Sequence, residues 1–152
     1  MQITRDRTRK NNAPFSLQYE PLEPRQMLAG DVSVSVTSDN LLIFGDSQAN
    51  QIRIEQEGNQ TFVTGLDGTT INGSTAVFSF DSQIRDARIR LGEGDDSVLI
   101  ENLSLEKNFK YFGGRGNDRL TLNSVSAKLI HAEGDQGDDV FDFGDSSSCS
   151  SS

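Results

Sequence analysis

Three short segments repeat one glycine–aspartate pattern: Leu91-Gly-Glu-Gly-Asp-Asp-Ser-Val-Leu99, Gly113-Gly-Arg-Gly-Asn-Asp-Arg-Leu-Thr121 and Gly134-Asp-Gln-Gly-Asp-Asp-Val-Phe-Asp142. The fourth position is always glycine (Gly94, Gly116, Gly137), the sixth always aspartate (Asp96, Asp118, Asp139) and the eighth always apolar (Val98, Leu120, Phe141). The copies recur at intervals of 22 and 21 residues. A constant period is the mark of stacked repeats, with one turn of the same chemistry on each. Such a stack aligns carboxylates along one edge. Aspartate offers a short, hard oxygen ligand of the kind that calcium takes in shells of about six to eight oxygens. Glycine lets the chain bend through positive φ and turn its carbonyls inward; Gly92, Gly94, Gly114, Gly116, Gly134 and Gly137 are the turn glycines. The residues placed to meet a cation are Asp95, Asp96, Asn117, Asp118, Asp138 and Asp139.

These turns need strands to hold them. From residue 87 the strand-like pieces are 87–91, 98–100, 109–112, 120–122, 128–131 and 140–143. Glycine–aspartate turns join the first to the second, the third to the fourth and the fifth to the sixth, and looser linkers at 101–108 and 123–127 join the rest. Each unit then has two short strands, one acidic turn and one variable loop, and successive units pair in parallel as in a β-roll or β-helix. Upstream, Val32-Ser-Val-Ser-Val-Thr37 alternates as a half-buried strand does. Strands at 41–44, 51–55, 61–64 and 76–80 follow, with Gly58-Asn59, Asp67-Gly68 and Asn72-Gly73 as turn signals. Gly45–Arg53 reads as a degenerate earlier copy, with Asn50 at the sixth position and Ile52 at the eighth. The expected fold is all-β: an antiparallel, hairpin-rich part over residues 31–86 leading into a short parallel β-roll over 87–144. Residues 1–30, a basic arm and a linker, and the serine-rich 145–152 are expected to be disordered termini.

The three turns resemble the G-G-x-G-x-D-x-U-x nonapeptide of RTX (hemolysin-type) calcium-binding repeats. That resemblance implies calcium between turns of adjacent coils, at about two sites. One would use Asp96 and Asp118 and the other Asp118 and Asp139, with Asp95, Asn117 and Asp138 adding side-chain or backbone oxygens. The match departs from the family pattern in three ways. Leu91 replaces the first glycine of the first copy, Asp135 replaces the second glycine of the third, and only one edge of each unit carries the motif. Near the N-terminus, Leu22-Glu23-Pro24-Arg25 with Leu28 resembles the LEPR-xLL motif of large bacterial surface or secreted repeat proteins, although Met27 stands where leucine is usual. This second resemblance implies a sorting segment and an extracellular or cell-surface location. It also fits a chain that is a truncated member of a group of longer proteins.

Composition narrows the partners. Residues 1–31 hold five Lys/Arg against four Asp/Glu, a balance of +1, and residues 32–152 hold nine against 19, a balance of −10, so the body carries more than the whole net charge of −9. An acidic body argues against nucleic acid and anionic membranes and suits a divalent cation. Glu93, Asp95, Asp96, Asp118, Asp135, Asp138 and Asp139 crowd one edge, where their repulsion destabilises a metal-free fold and Arg115 and Arg119 offset part of it. With 34% hydrophobic residues and no tryptophan, a thin stacked core is easier to build than a large one. No apolar run approaches the roughly 18 residues needed to span a bilayer. His131 has no His or Cys cluster around it, which argues against zinc. Cys149 has no basic neighbour to activate it. Paired carboxylates can cleave glycosidic bonds, but here they lie within glycine turns rather than in a cleft. The expectation is a non-enzymatic, calcium-binding surface module whose further partners are surface polymers or other repeat proteins. A metal-free structural or adhesive β-solenoid is the alternative, and a polysaccharide-active enzyme the outsider.

Overall fold

The computed structural model describes residues 30–81, 83–144 and 147–149. The N-terminal segment with Leu22, Glu23, Pro24, Arg25 and Leu28 lies outside the described residues. The chain is all-β. Its strands are β1 (Asp31–Thr37), β2 (Asn40–Phe44), β3 (Gln51–Glu57), β4 (Gln60–Gly65), β5 (Thr70–Ile71), β6 (Phe78–Asp81), β7 (Asp86–Glu93), β8 (Ser97–Glu101), β9 (Asn108–Arg115), β10 (Arg119–Asn123), β11 (Ser126–Ala127), β12 (Leu129–Gln136), β13 (Val140–Phe143) and β14 (Ser148–Cys149). Among the described residues there is no helix.

Two mixed six-stranded sheets hold nearly all of them, in the orders β12-β9-β7-β2-β1-β5 and β13-β10-β8-β3-β4-β6. The hairpins expected upstream are present: β1–β2 and β3–β4 are antiparallel, and β6 adds antiparallel to β4. They do not stand apart from the repeats. β2 pairs parallel with β7, and β3 pairs parallel with β8, so both regions share the same two sheets. β7, β9 and β12 are parallel and in register, as are β8, β10 and β13.

The period-2 pattern of these strands sets what is buried. Position eight of each repeat forms one interior row, Ile52–Val98–Leu120–Phe141, across neighbouring strands. Facing it from the other sheet run Leu41–Ala87–Phe109–Ile130 and Ile43–Ile89–Tyr111–Ala132. Each fully buried aliphatic side chain in these rows contributes roughly 1.5–3 kcal/mol. The linkers, expected to be loose, also supply core: Leu103, Leu105, Val125 and Ala127 are buried. Ser104 and Ser126 bridge in parallel, and the hydroxyl of Ser126 donates to that of Ser104 at 3.2 Å. The serine tail does not leave at once, since β14 pairs parallel with β11.

The strands also run further than alternation suggested. β7, β9 and β12 continue through the first glycines of each turn, to Glu93, Arg115 and Gln136. The third repeat is outermost in both sheets, and Leu129, Val140, Phe141 and Phe143 remain exposed there.

Candidate functional site: a ladder of aspartate turns

The register of the parallel strands brings the acidic turns directly above one another. Arg119 lies opposite Ser97 and Val140 opposite Arg119, so the sixth positions that precede them stack. The degenerate copy belongs to the same stack, because Gln51 lies opposite Ser97. Asn50, at the sixth position of that copy, is the first side chain of the row.

Two hydrogen-bond ladders run through the stack in opposite senses. In the inner one, each sixth-position aspartate accepts from the sixth-position N–H of the preceding repeat. Asp96 Oδ1 accepts from Asn50 N at 2.7 Å, Asp118 Oδ1 from Asp96 N at 3.0 Å, and Asp139 Oδ1 from Asp118 N at 2.9 Å. In the outer one, the fifth-position side chain accepts from the following repeat: Asp95 Oδ1 from Asn117 N at 2.8 Å, and Asn117 Oδ1 from Asp138 N at 3.0 Å. All six expected site residues therefore lie in one continuous row, with Asp95, Asn117 and Asp138 outside and exposed and Asp96 and Asp118 inside and buried.

Glycine has two separate tasks here. At the second and fourth positions it supplies positive φ, +116° at Gly114 and +127° at Gly116. In the third repeat Asp135 stands at the second position and adopts φ +70° itself, a strained setting for a residue with a side chain. At the first position the reason is space. A Cβ on Gly113 would collide with Asp118 Oδ2, and one on Gly134 with Asp139 Oδ2, so each carboxylate folds back under the glycine that opens its own turn.

The electrostatics are unusual. Asp96 and Asp118 are 2% and 1% exposed, and their Oδ2 atoms have no hydrogen-bond partner. Nor have Asn50 Oδ1 and the Tyr111 hydroxyl, both also buried. Burial pushes Asp96 up to about 7; the N–H of Asn50 opposes this, while the charges of Asp118 and Asp46 add to it. Asp118 is raised as well, again mainly by burial, with Asp139, Asp95 and Asp135 as further contributors. The Tyr111 hydroxyl is pushed up by burial and then by the charges of Asp118, Asp96 and Asp139. Asp46 shows the contrast. Burial acts on it too, but N–H donors from Asp31 and Gln48, each at 2.9 Å, outweigh that and hold its carboxyl below the usual range. Arg115 bonds Glu93 at 3.2 Å across repeats, as expected, whereas Arg119 makes no ion pair among the described residues.

Among the described residues, no group of three or more His, Cys, Asp or Glu side chains is gathered so as to hold a metal by itself. Any ion here would take at most two carboxylates and complete its shell with carbonyls, hydroxyls or water. Sequence reasoning placed Asn50 at a sixth position but missed Asp46 as the row's flank and Tyr111, which carries no local signal. His131 sits within β12, with Nε2 2.7 Å from Glu133 Oε1 and its ring against Phe112. Among the described residues, no helix is long and apolar enough to cross a membrane, which says nothing of membrane-spanning strands. No family model matches the chain, and no curated protein and no solved structure matches it.

Proposed function

We propose that this chain is a non-enzymatic, extracellular or cell-surface β-roll whose stacked acidic turns bind calcium for stability. One observation carries the reading: the Oδ2 atoms of Asp96 and Asp118 are buried, consecutive in the row and unpartnered. A buried carboxylate oxygen without a donor or counter-charge is costly, and a divalent ion offsets that cost while releasing the protons that otherwise neutralise it. Hard carboxylate oxygens suit calcium better than a soft-ligand metal. Asp96, Asp118 and Asp139 would supply the inner carboxylates, and the ion's role is structural. The surface location rests on the LEPR-xLL resemblance. Titration of the full chain with calcium, by calorimetry and by far-ultraviolet circular dichroism against a chelator, tests the reading. Heat of binding at about two ions per chain, with a gain of β-signal, is expected; no heat and no spectral change refute it.

The metal-free structural solenoid has its own support. The Oδ1 of each sixth-position aspartate is already engaged with a backbone N–H of the neighbouring repeat, so the ladder holds the turns together without an ion. In that case the same titration is silent.

A further inference from the structure

The outward face of the first sheet gathers three cations, Arg88, Arg90 and Lys110, in an otherwise acidic chain. Its strands are in register, so outward residues form rows across them. One row runs Leu42–Arg88–Lys110–His131 and the next Phe44–Arg90–Phe112–Glu133. Neighbouring strands lie about 4.8 Å apart, so Arg88 and Lys110 stand side by side with like charge, an arrangement that costs stability in a sheet. The chain has carboxylates to spare, with a net charge of −9. Yet among the described residues Arg88, Arg90 and Lys110 make no ion pair, whereas Arg53 on the other sheet pairs with Glu55 and Glu101 at 3.0 and 2.6 Å.

Two depressions flank this strip along β7 and β9. One, of about 380 Å³, is lined by Asn40, Leu42, Asp86, Arg88, Asn108 and Lys110, among others. The other, of about 260 Å³, is lined by Arg90, Gly92, Phe112, Gly114, Glu133 and Asp135, with Gly113 beside them. From Asp86 to Gly92 the strip extends about 20 Å at roughly 3.3 Å per residue. Its floor is partly aromatic: Phe44 is 44% exposed, and the Arg90 guanidinium lies 4.8 Å from the centre of the Phe112 ring. Two of the acidic groups nearby have partners within the protein: Asp86 Oδ1 accepts from the Asn108 side chain at 2.8 Å, and Glu133 meets His131.

We propose that this face binds an anionic carbohydrate polymer, its carboxylates meeting Arg88, Arg90 and Lys110 and its sugar rings lying on Phe44 and Phe112. The sparse cations set the class. Three unpaired positive charges on an acidic protein suit one carboxylate per sugar ring, whereas duplex nucleic acid, with a charge about every 1.7 Å, needs a far more basic surface. The flat, hydrogen-bonding and aromatic floor suits sugars better than an acidic peptide. The site is on the sheet face, away from the interior row, and does not depend on the calcium reading.

The test uses the full chain and short oligogalacturonate, in buffer containing calcium so that the fold is complete whichever metal reading holds. Calorimetry or affinity electrophoresis should give saturable binding that weakens as salt rises from 0.05 to 0.5 M. The double variant Arg88→Gln/Lys110→Gln should bind at least tenfold more weakly, Phe44→Ala several-fold more weakly, and Arg119→Gln, on the other sheet, as the parent does. Circular dichroism checks that each variant is folded, and Arg90→Gln alone serves should the double variant unfold. Four results would overturn the proposal: no binding, equal binding by the double variant, equal binding of a neutral oligosaccharide, or tighter binding of polyglutamate, which would make this a site for acidic peptides.

Discussion

Replacing Asp96 by asparagine separates the electrostatics of the inner row from its hydrogen bonding. The amide keeps the Oδ1 that accepts from Asn50 N at 2.7 Å and removes only the charge at the buried Oδ2. In the wild type without metal, the folded carboxyl titrates at about 7 against an ordinary 3.8, because burial, then the charges of Asp118 and Asp46, favour its neutral form. The folded state therefore holds a proton that the unfolded chain has released. This contribution is complete below about pH 4 and is lost as pH rises through about 7. At about 1.4 kcal/mol per decade, the loss is on the order of 4 kcal/mol between those limits.

Asp96→Asn has no such loss. In chelator at pH 8 it should be more stable than wild type by up to that amount, and at pH 4 the two should agree within about 1 kcal/mol. Saturating calcium should reverse the order at pH 8, since the ion stabilises the wild type by mass action and finds one ligand fewer in the variant. Urea unfolding followed by circular dichroism, at both pH values with calcium and with chelator, measures all four differences. If the variant in chelator at pH 8 is less stable than wild type by more than about 1 kcal/mol, the buried oxygen is not an uncompensated charge, and the physical basis of the calcium reading fails.

Asn50→Asp completes the row with a fourth carboxylate; calorimetry should show the calcium stoichiometry rising from about two towards three, and the variant should be the less stable of the two in chelator at pH 8. Gly116→Ala places a Cβ against the Gly94 carbonyl of the adjacent repeat at φ +127°, and should lower unfolding stability by about 3 kcal/mol or more, read from the urea midpoint. Tyr111→Phe removes a buried hydroxyl that has no partner, so stability in chelator should stay level or rise by about 1 kcal/mol; an equal loss would show that the hydroxyl donates to the row.

The repeats were legible because their signals are local. A glycine that needs positive φ, an aspartate two residues on and an apolar residue two further on all fall within nine positions, and the 21–22 residue interval gives the strand register directly. The upstream hairpins were legible where alternation was strict. The Ser38–Asp39 turn between β1 and β2, with φ of 49° and 63°, gave no such signal, because neither residue is glycine or asparagine. The linkers were misjudged for a different reason. Leu103-Ser-Leu105 and Val125-Ser-Ala127 are too short for any period to show. Their burial is decided by a neighbour 22 residues away, where Ser104 pairs with Ser126, rather than by adjacent sequence.

The same logic explains why the inner and outer ladders have different tolerances. The inner side chains of Asp96, Asp118 and Asp139 each accept an N–H from the repeat before, while Asn50 heads the row and gives its own N–H to Asp96. The outer ladder is solvent-exposed and can lapse, as at Ala49, the fifth position of the first copy, which has no oxygen to offer. Charge at the sixth position is separable from hydrogen bonding, since an asparagine there keeps an Oδ1 able to accept the same N–H. Three of the four sixth positions nonetheless carry a carboxylate, and two of those bury an oxygen that the ladder leaves without a partner. The ladder accounts for an acceptor oxygen at positions 96, 118 and 139 but not for its charge, and it is that charge which the proposed cation would use.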